Sequence, residues 1–248
     1  QHSTDPEGGR FFMRLEFGLN ETLVPRAAFE RDWAVVADEM NAAWSIHYGT
    51  ERMRMGILVS KQDHCLFDLL HRQRSGELGV EIPLVISNHT DCRELVERYG
   101  IPFHHVPVTA ATQRDAERQL LALLREKTDF VVLARYMRVL SDEFLSEYGR
   151  DVINIHHSFL PSFKGADPYR QAHERGVKII GATAHFVTRE LDEGTIIEQR
   201  VERVYYKDTV DDLRRKGRNL EKLALANAIQ AYLEHRIILD ANRTIVFQ

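Results

Sequence analysis

Two kinds of hydrophobic alternation follow one another along the chain. Phe11, Met13, Leu15 and Phe17 alternate with Phe12, Arg14 and Glu16, the period-two pattern of a half-buried strand. Pro25 stands where a first helical turn tolerates it, and Phe29, Trp33, Val36 and Met40 then recur at helical spacing to give one apolar face. Trp44, Ile46 and Tyr48 alternate again, ahead of a charged stretch from Glu51 to Arg54 that reads as a linker. Three such elements cannot readily bury both faces of a sheet by themselves. Residues 1–50 are therefore expected to form a partial module that leans on another chain, on the larger domain or on further N-terminal elements.

From Met55 the pattern changes to short apolar runs separated by amphipathic stretches. It predicts strands over Met55 to Ser60, Ile82 to Ser87, Phe103 to Val106, Phe130 to Ala134 and Val152 to Ile155. Helices are expected near Leu66 to Arg74, Asp91 to Tyr99, Ala111 to Glu126 and Ser141 to Tyr148. This alternation predicts an α/β fold over residues 51–248, with a doubly wound, mainly parallel sheet. Ile179 to Val187 and Thr195 to Val204 read as further strands, and Thr209 to His235 as a long helix capped by Thr209 with Asp212 three residues on. Ile237 to Leu239 and Arg243 to Phe247 suggest a terminal hairpin.

Composition narrows the partners. A chain of 248 residues, 44% hydrophobic, can bury a full core and still carry an appended module. Its formal charge of −4 offers no basic surface for nucleic acid or anionic membrane, so a small-molecule partner is expected. Cys65 and Cys92 are too few for a disulfide framework, which fits a reducing cytoplasm. No apolar run approaches the roughly 18 residues of a membrane span. With no initiator Met and no signal pattern, Gln1 is expected to be a cut or processed end.

The candidate chemistry lies in two segments. In the extended run from Asp151 to His156, Val152, Asn154 and His156 share one face and Ile153 and Ile155 the other. An amide and an imidazole thus project together at a strand end, where ligands bind in open parallel sheets. The apolar loop from Ser158 to Gly165 is expected to pack beside a pocket. The second segment, His185 to Gly194, carries Asp192 in a turn. Taken singly, each of these polar residues could merely close a turn.

Taken together, the Asn154-Ile155-His156 strand end, the Ser158-Phe159-Leu160-Pro161 loop and the turn from His185 to Asp192-Glu193-Gly194 resemble the formyltetrahydrofolate-using hydrolase and transferase family, over roughly residues 54 to 248. The resemblance implies that Asn154, His156 and Asp192 are catalytic and that His157 and His185 support them. It also implies that Met137, Arg138, Leu140, Thr188 and Leu191 contact folate, largely through backbone atoms. Folate would be substrate, with no separate cofactor. Within the family the hydrolase branch fits better, because His157 stands where transferases acting on glycinamide ribonucleotide typically have Pro. Their phosphate-holding loop contains glycine, whereas Ser60-Lys61-Gln62-Asp63-His64-Cys65 has none and carries an acid. The same loop lacks the G-x-G-x-x-G of a dinucleotide fold. Transfer to glycinamide ribonucleotide, formylation of methionyl-tRNA, which would need a further basic domain, and a non-catalytic folate or amino-acid sensor remain alternatives.

Residues 1–50 resemble the second half of a ferredoxin-like ACT regulatory domain whose first strand and helix are absent. An amino-acid effector and a homo-oligomer are implied, since an incomplete sheet exposes an unpaired edge. No metal is expected: the pairs His104-His105 and His156-His157 direct adjacent rings to opposite faces, and no Cys or carboxylate stands at ligand spacing. The implied reaction has water attack the formyl carbon. Asn154 and His156 would stabilise the oxyanion, and Asp192 would orient and deprotonate the water while favouring the charged imidazole. Ser158 lacks a nucleophile elbow and reads as a loop former.

Overall fold

A boundary between Glu51 and Arg52 divides the chain into two units, residues 1–51 with Phe247 and residues 52–246 with Gln248. The computed structural model describes residues 1–4, 8–18, 23–161 and 168–248. Asp5 to Glu7, within the N-terminal stretch, and Ser162 to Gly165, within the loop expected after His157, lie outside the described residues.

In the N-terminal unit, β1 (His2–Thr4) pairs antiparallel with β2 (Phe11–Met13), and α1 (Arg26–Glu39) follows Pro25. The strand expected to reach Phe17 stops at Met13, because its described partner has only three residues and a ladder cannot outrun its neighbour. Leu15 and Phe17 are left exposed. Trp44 to Tyr48 forms no strand, for want of a ladder partner among the described residues. Tyr48 is held through its side chain instead, its hydroxyl donating to Glu30 Oε1 at 2.5 Å under the Arg26 guanidinium. The apolar stripe of α1 exists but is poorly covered: Ala37 is buried, Phe29 and Trp33 half-buried, Val36 and Met40 exposed. Two three-residue strands offer too little surface to cover more.

The larger unit runs β3 (Met55–Val59), α2 (His64–Ser75), β4 (Val85–Ser87), α3 (Arg93–Arg98), β5 (Phe103–His105), α4 (Gln113–Leu124), β6 (Phe130–Leu133), α5 (Asp142–Tyr148) and β7 (Val152–His156). It continues with α6 (Pro168–Glu174), β8 (Ile179–Phe186), β9 (Ile196–Arg203), α7 (Val210–Leu233) and the hairpin β10 (Ile237–Asp240) and β11 (Arg243–Val246). One seven-stranded sheet has the order β5-β4-β3-β6-β7-β8-β9, parallel through β7 and antiparallel for β8 and β9. The mainly parallel, doubly wound sheet is as the apolar runs predict. The helix α6 was not foreseen, since seven residues with Pro168, Tyr169 and Ala172 buried carry too short a period to register.

Alternate residues of the strands feed two cores. Ile57, Val59, Ile153 and Ile155 pack with Leu66 and Leu69 of α2 and Leu220, Ala224 and Ala228 of α7. Leu58, Val131 and Val152 pack with Leu120 and Leu124 of α4 and Phe144 of α5 on the other face. Burying a Leu or Phe fully is worth about 1.5–3 kcal/mol, so both helix layers are firmly tied to the strands. The expected capping box starts α7: Thr209 Oγ1 accepts from the Asp212 N–H at 3.2 Å and Asp212 accepts from the Thr209 N–H at 2.9 Å. The chain leaves β3 toward β4 and β6 toward β7, in opposite directions. The carboxyl ends of β3 and β6 therefore flank the switch point, where such sheets form their crevice.

Candidate active site

The period of β7 brings Asn154 and His156 to one side of its end, and its antiparallel neighbour supplies the partner. Asn154 lies opposite His185 in the β7–β8 ladder, and their side chains meet at 3.2 Å, Asn154 Nδ2 to His185 Nε2. His185 Nδ1 is 2.9 Å from the Phe186 carbonyl, which can only accept, so Nδ1 carries the proton and Nε2 accepts from the Asn154 amide. Burial lowers the His185 pKa, in keeping with a neutral ring. One Asn154 N–H is thereby fixed, and the second is left to aim at a ligand.

Asp192 reaches the same place by a turn that folds back over the sheet. The turn is closed by the Phe186 N–H donating to the Thr195 carbonyl at 3.0 Å, and Asp192 takes the left-handed conformation at φ 58°. Gly194 is obligatory here: a Cβ would lie 1.7 Å from the Phe186 carbonyl oxygen. The result places Asp192 Oδ2 3.3 Å from His156 Nδ1 and Oδ1 3.8 Å from His185 Nε2. The hydrogen bond from His156, opposed by partial burial, holds the Asp192 carboxyl below its ordinary range. His156 Nε2 is buried without a hydrogen-bond partner among the described residues. The ring thus shows one nitrogen to a carboxylate and offers the other.

The flanking parts are anchored by polar contacts that the sequence did not single out. Thr183 Oγ1 donates to the Ser158 carbonyl at 2.9 Å and accepts from the Leu160 N–H at 3.1 Å, which fixes the start of the loop after β7. His157 packs edge-on to His156 and to Tyr169, with ring centroids 5.2 and 6.3 Å away. Burial first, then the charges of Arg135 and His156, push its pKa down to about 4. After β6, Met137 and Arg138 are exposed, while the Leu140 side chain is buried in the core and only its backbone can face a ligand. The Met137 N–H donates to Ser60 Oγ at 2.9 Å, and the Ser141 N–H to Glu117 at 2.9 Å, so both ends of this loop are held. Thr188 and Leu191 are exposed on the Asp192 turn. A cleft of about 480 Å³ adjoins Asp192, lined by Leu160, Pro161 and Ile196 and by Arg243 and Thr244 of the terminal hairpin, a wall not foreseen.

One grouping of potential metal ligands is assembled only by the fold. The adjacent His64 and Cys65 and the distant Glu221 bring a ligand atom each within 4.8 Å of one another. Their donors are nevertheless committed. Glu221 accepts from His64 Nε2 and from the Tyr169 hydroxyl, each at 2.7 Å, with Arg135 Nε 3.5 Å away. Burial raises the Cys65 thiol well above its usual pKa. A cation would meet a guanidinium and a protonated thiol, so the set suits a hydrogen-bonded network better than a metal centre.

Comparison with known proteins agrees with this geometry. Residues 53–229 match the family model described as formyl transferase. The chain is 50% identical over 248 residues to the formyltetrahydrofolate deformylase of Synechocystis sp., covering all of this chain and 87% of that one. It superposes on the crystal structure of a formyltetrahydrofolate deformylase from Pseudomonas syringae with a TM-score of 0.91 and 44% identity, covering 100% of this chain and 84% of that one. A glycinamide ribonucleotide transformylase from Symbiobacterium toebii matches less fully, with a TM-score of 0.73 and 32% identity over 83% of this chain and 99% of that one.

Proposed function

We infer the activity from one premise, that the chain belongs to the formyl transferase family: it hydrolyses 10-formyltetrahydrofolate to formate and tetrahydrofolate. The observation that carries this is the convergence of the Asn154 amide, the buried His156 Nε2, unpartnered among the described residues, and the Asp192 carboxylate at the end of β7. Likeness to deformylases over the whole chain supports water as acceptor.

In this proposal Asn154 and His156 Nε2 donate to the oxyanion that forms when water adds to the formyl carbon. A preorganised donor of this kind contributes about 10²-fold or more in rate. Asp192 takes the proton from the attacking water, and its other oxygen holds the His156 ring through Nδ1 at 3.3 Å. The weakly basic amine leaves as it takes up the proton that Asp192 accepted from the water, which restores the carboxylate. Neutral His185 fixes Asn154, and neutral His157 packs behind His156. Met137, Arg138, Leu140, Thr188 and Leu191 are proposed to line the folate site. No cofactor or metal is required. Formate release would feed purine synthesis and balance one-carbon pools in the cytoplasm; among the described residues no helix is long and apolar enough to cross a membrane. The N-terminal unit is proposed as part of an ACT-like module through which the chain forms a homo-oligomer and takes an amino-acid effector.

The test is incubation with 10-formyltetrahydrofolate, following formate and tetrahydrofolate with and without glycinamide ribonucleotide. Release without acceptor, abolished in Asp192→Asn, is expected. Turnover only with the ribonucleotide would make the protein a transferase.

A further inference from the structure

The crevice at the carboxyl ends of β3 and β6 is where a sheet of this order receives a ligand. Here it is occupied by the protein's own side chains. Arg135, two residues beyond β6, is 7% exposed; its Nε donates to Gln62 Oε1 in the loop after β3 at 3.0 Å and lies 3.5 Å from Glu221 Oε2 of α7. His64 and Tyr169 fill the remaining positions around the Glu221 carboxylate. Room for Tyr169 comes from Gly217, one turn before Glu221 on α7, where a Cβ would lie 2.0 Å from the Tyr169 hydroxyl oxygen.

Both Glu221 oxygens already accept hydrogen bonds. Burial pushes this carboxyl's pKa up, but His64, Arg135 and Tyr169 together outweigh burial and keep it below its ordinary value. A network satisfied from within has nothing to offer an incoming polar group, which would have to break its bonds to enter. His157 links the cluster to the reacting centre, since its ring touches Tyr169 on one side and His156 on the other. The residues proposed to line the folate site follow β6 and β8, whereas His64, Tyr169 and Glu221 come from α2, α6 and α7 and meet His156 through His157.

Resting on the hydrolytic reading above, we propose that Arg135, Tyr169, His64 and Glu221 stand in for an acceptor substrate and so restrict the formyl acceptor to water. They are specificity-determining residues and touch no reacting atom. A water molecule needs no seat in the crevice; an amine carried on a larger group does.

The experiment measures partition. The full chain is given 10-formyltetrahydrofolate with glycinamide as a primary-amine acceptor, and N-formylglycinamide is quantified against formate. This ratio does not depend on the fraction of protein that is active. Two variants open the crevice from different sides: Arg135→Gly, whose residue suits the left-handed backbone there at φ 65°, and Tyr169→Ala. Wild type is expected to yield formate with only a trace of formylated amine, and either variant to raise the formylated-amine share by about tenfold or more, the scale of discrimination a filled pocket gives. An unchanged ratio in both variants, or transfer to glycinamide by the wild type at the level of the variants, would overturn the proposal while hydrolysis stood. Failure of the wild type to release formate without amine would overturn the hydrolytic reading and this inference with it.

Discussion

At the scale of single residues, the site depends on two nitrogens that are free to act because other groups have tied down their neighbours. Asn154→Ala is expected to lower kcat by about 10²-fold or more with little change in KM, because an oxyanion donor works chiefly in the transition state. Asp192→Asn should cost about 10²–10⁴-fold, the range for a lost general base. Steady-state kinetics of formate release would expose a wrong assignment as wild-type rates in both. A residue that touches no ligand is expected to matter as much. Gly194→Ala drives a methyl group into the Phe186 carbonyl, so the turn must open and Asp192 must leave His156. Its kcat should fall at least as far as that of Asp192→Asn, with folding stability lowered by about 1–3 kcal/mol; a variant with near-native turnover would show that the turn does not need its glycine. Asn154 and His156 were legible in sequence because a strand's period is fixed at two. That Asp192 meets them was legible only through family resemblance, since a fold-back turn leaves no periodic trace. Glu221 did leave a trace that went unused: it falls on the stripe of Gly217, Leu220, Ala224 and Ala228, an acid on a buried helix face.

At the scale of elements, burial decides what can be read. The strands β3 and β6 are covered on both faces and announce themselves as unbroken apolar runs, whereas α6 and the N-terminal strands have too few buried positions to do so. Polar ties then set the register between elements. Arg54 donates to Asp129 from Nη2 at 2.7 Å, from Nε at 3.2 Å and from its backbone N–H at 2.7 Å, pinning the start of β3 to the start of β6. The hydrogen bonds from Arg54 hold the Asp129 carboxyl below its ordinary pKa. A depressed folded-state value means that the stabilisation is complete above the unfolded carboxylate's pKa and is lost as pH falls through the folded one. Asp129→Asn is therefore expected to cost about 1 kcal/mol at neutral pH, a modest figure because water reaches both partners. The deficit should shrink on acidification below pH ~4. Urea titrations at both pH values check this, and a deficit that stays constant would show that the ion pair is not its source.

At the scale of the whole molecule, the candidate site and both cores belong to residues 52–246, and the N-terminal unit shows another character. Phe11, Leu15, Phe17, Leu23 and Met40 are all more than half exposed there, an apolar content that a free surface rarely carries. Light scattering at micromolar concentration is expected to give a homo-oligomer, and a strictly monomeric species would refute that. The doubly wound sheet was foreseen because its strands and helices alternate in sequence. The division of labour among its ends was not, because it arises from side chains as distant as Gln62 and Glu221. The late position of α7 has one more consequence, in time. This helix covers β7, β8 and β9, yet it lies after all of them in the chain. At about 5–20 residues per second, a growing polypeptide presents Ile153 and Ile155 uncovered for several seconds before the ribosome delivers their lid. Newly made chains should thus be most vulnerable to aggregation, and most in need of chaperones, in the interval between synthesis of β7 and synthesis of α7.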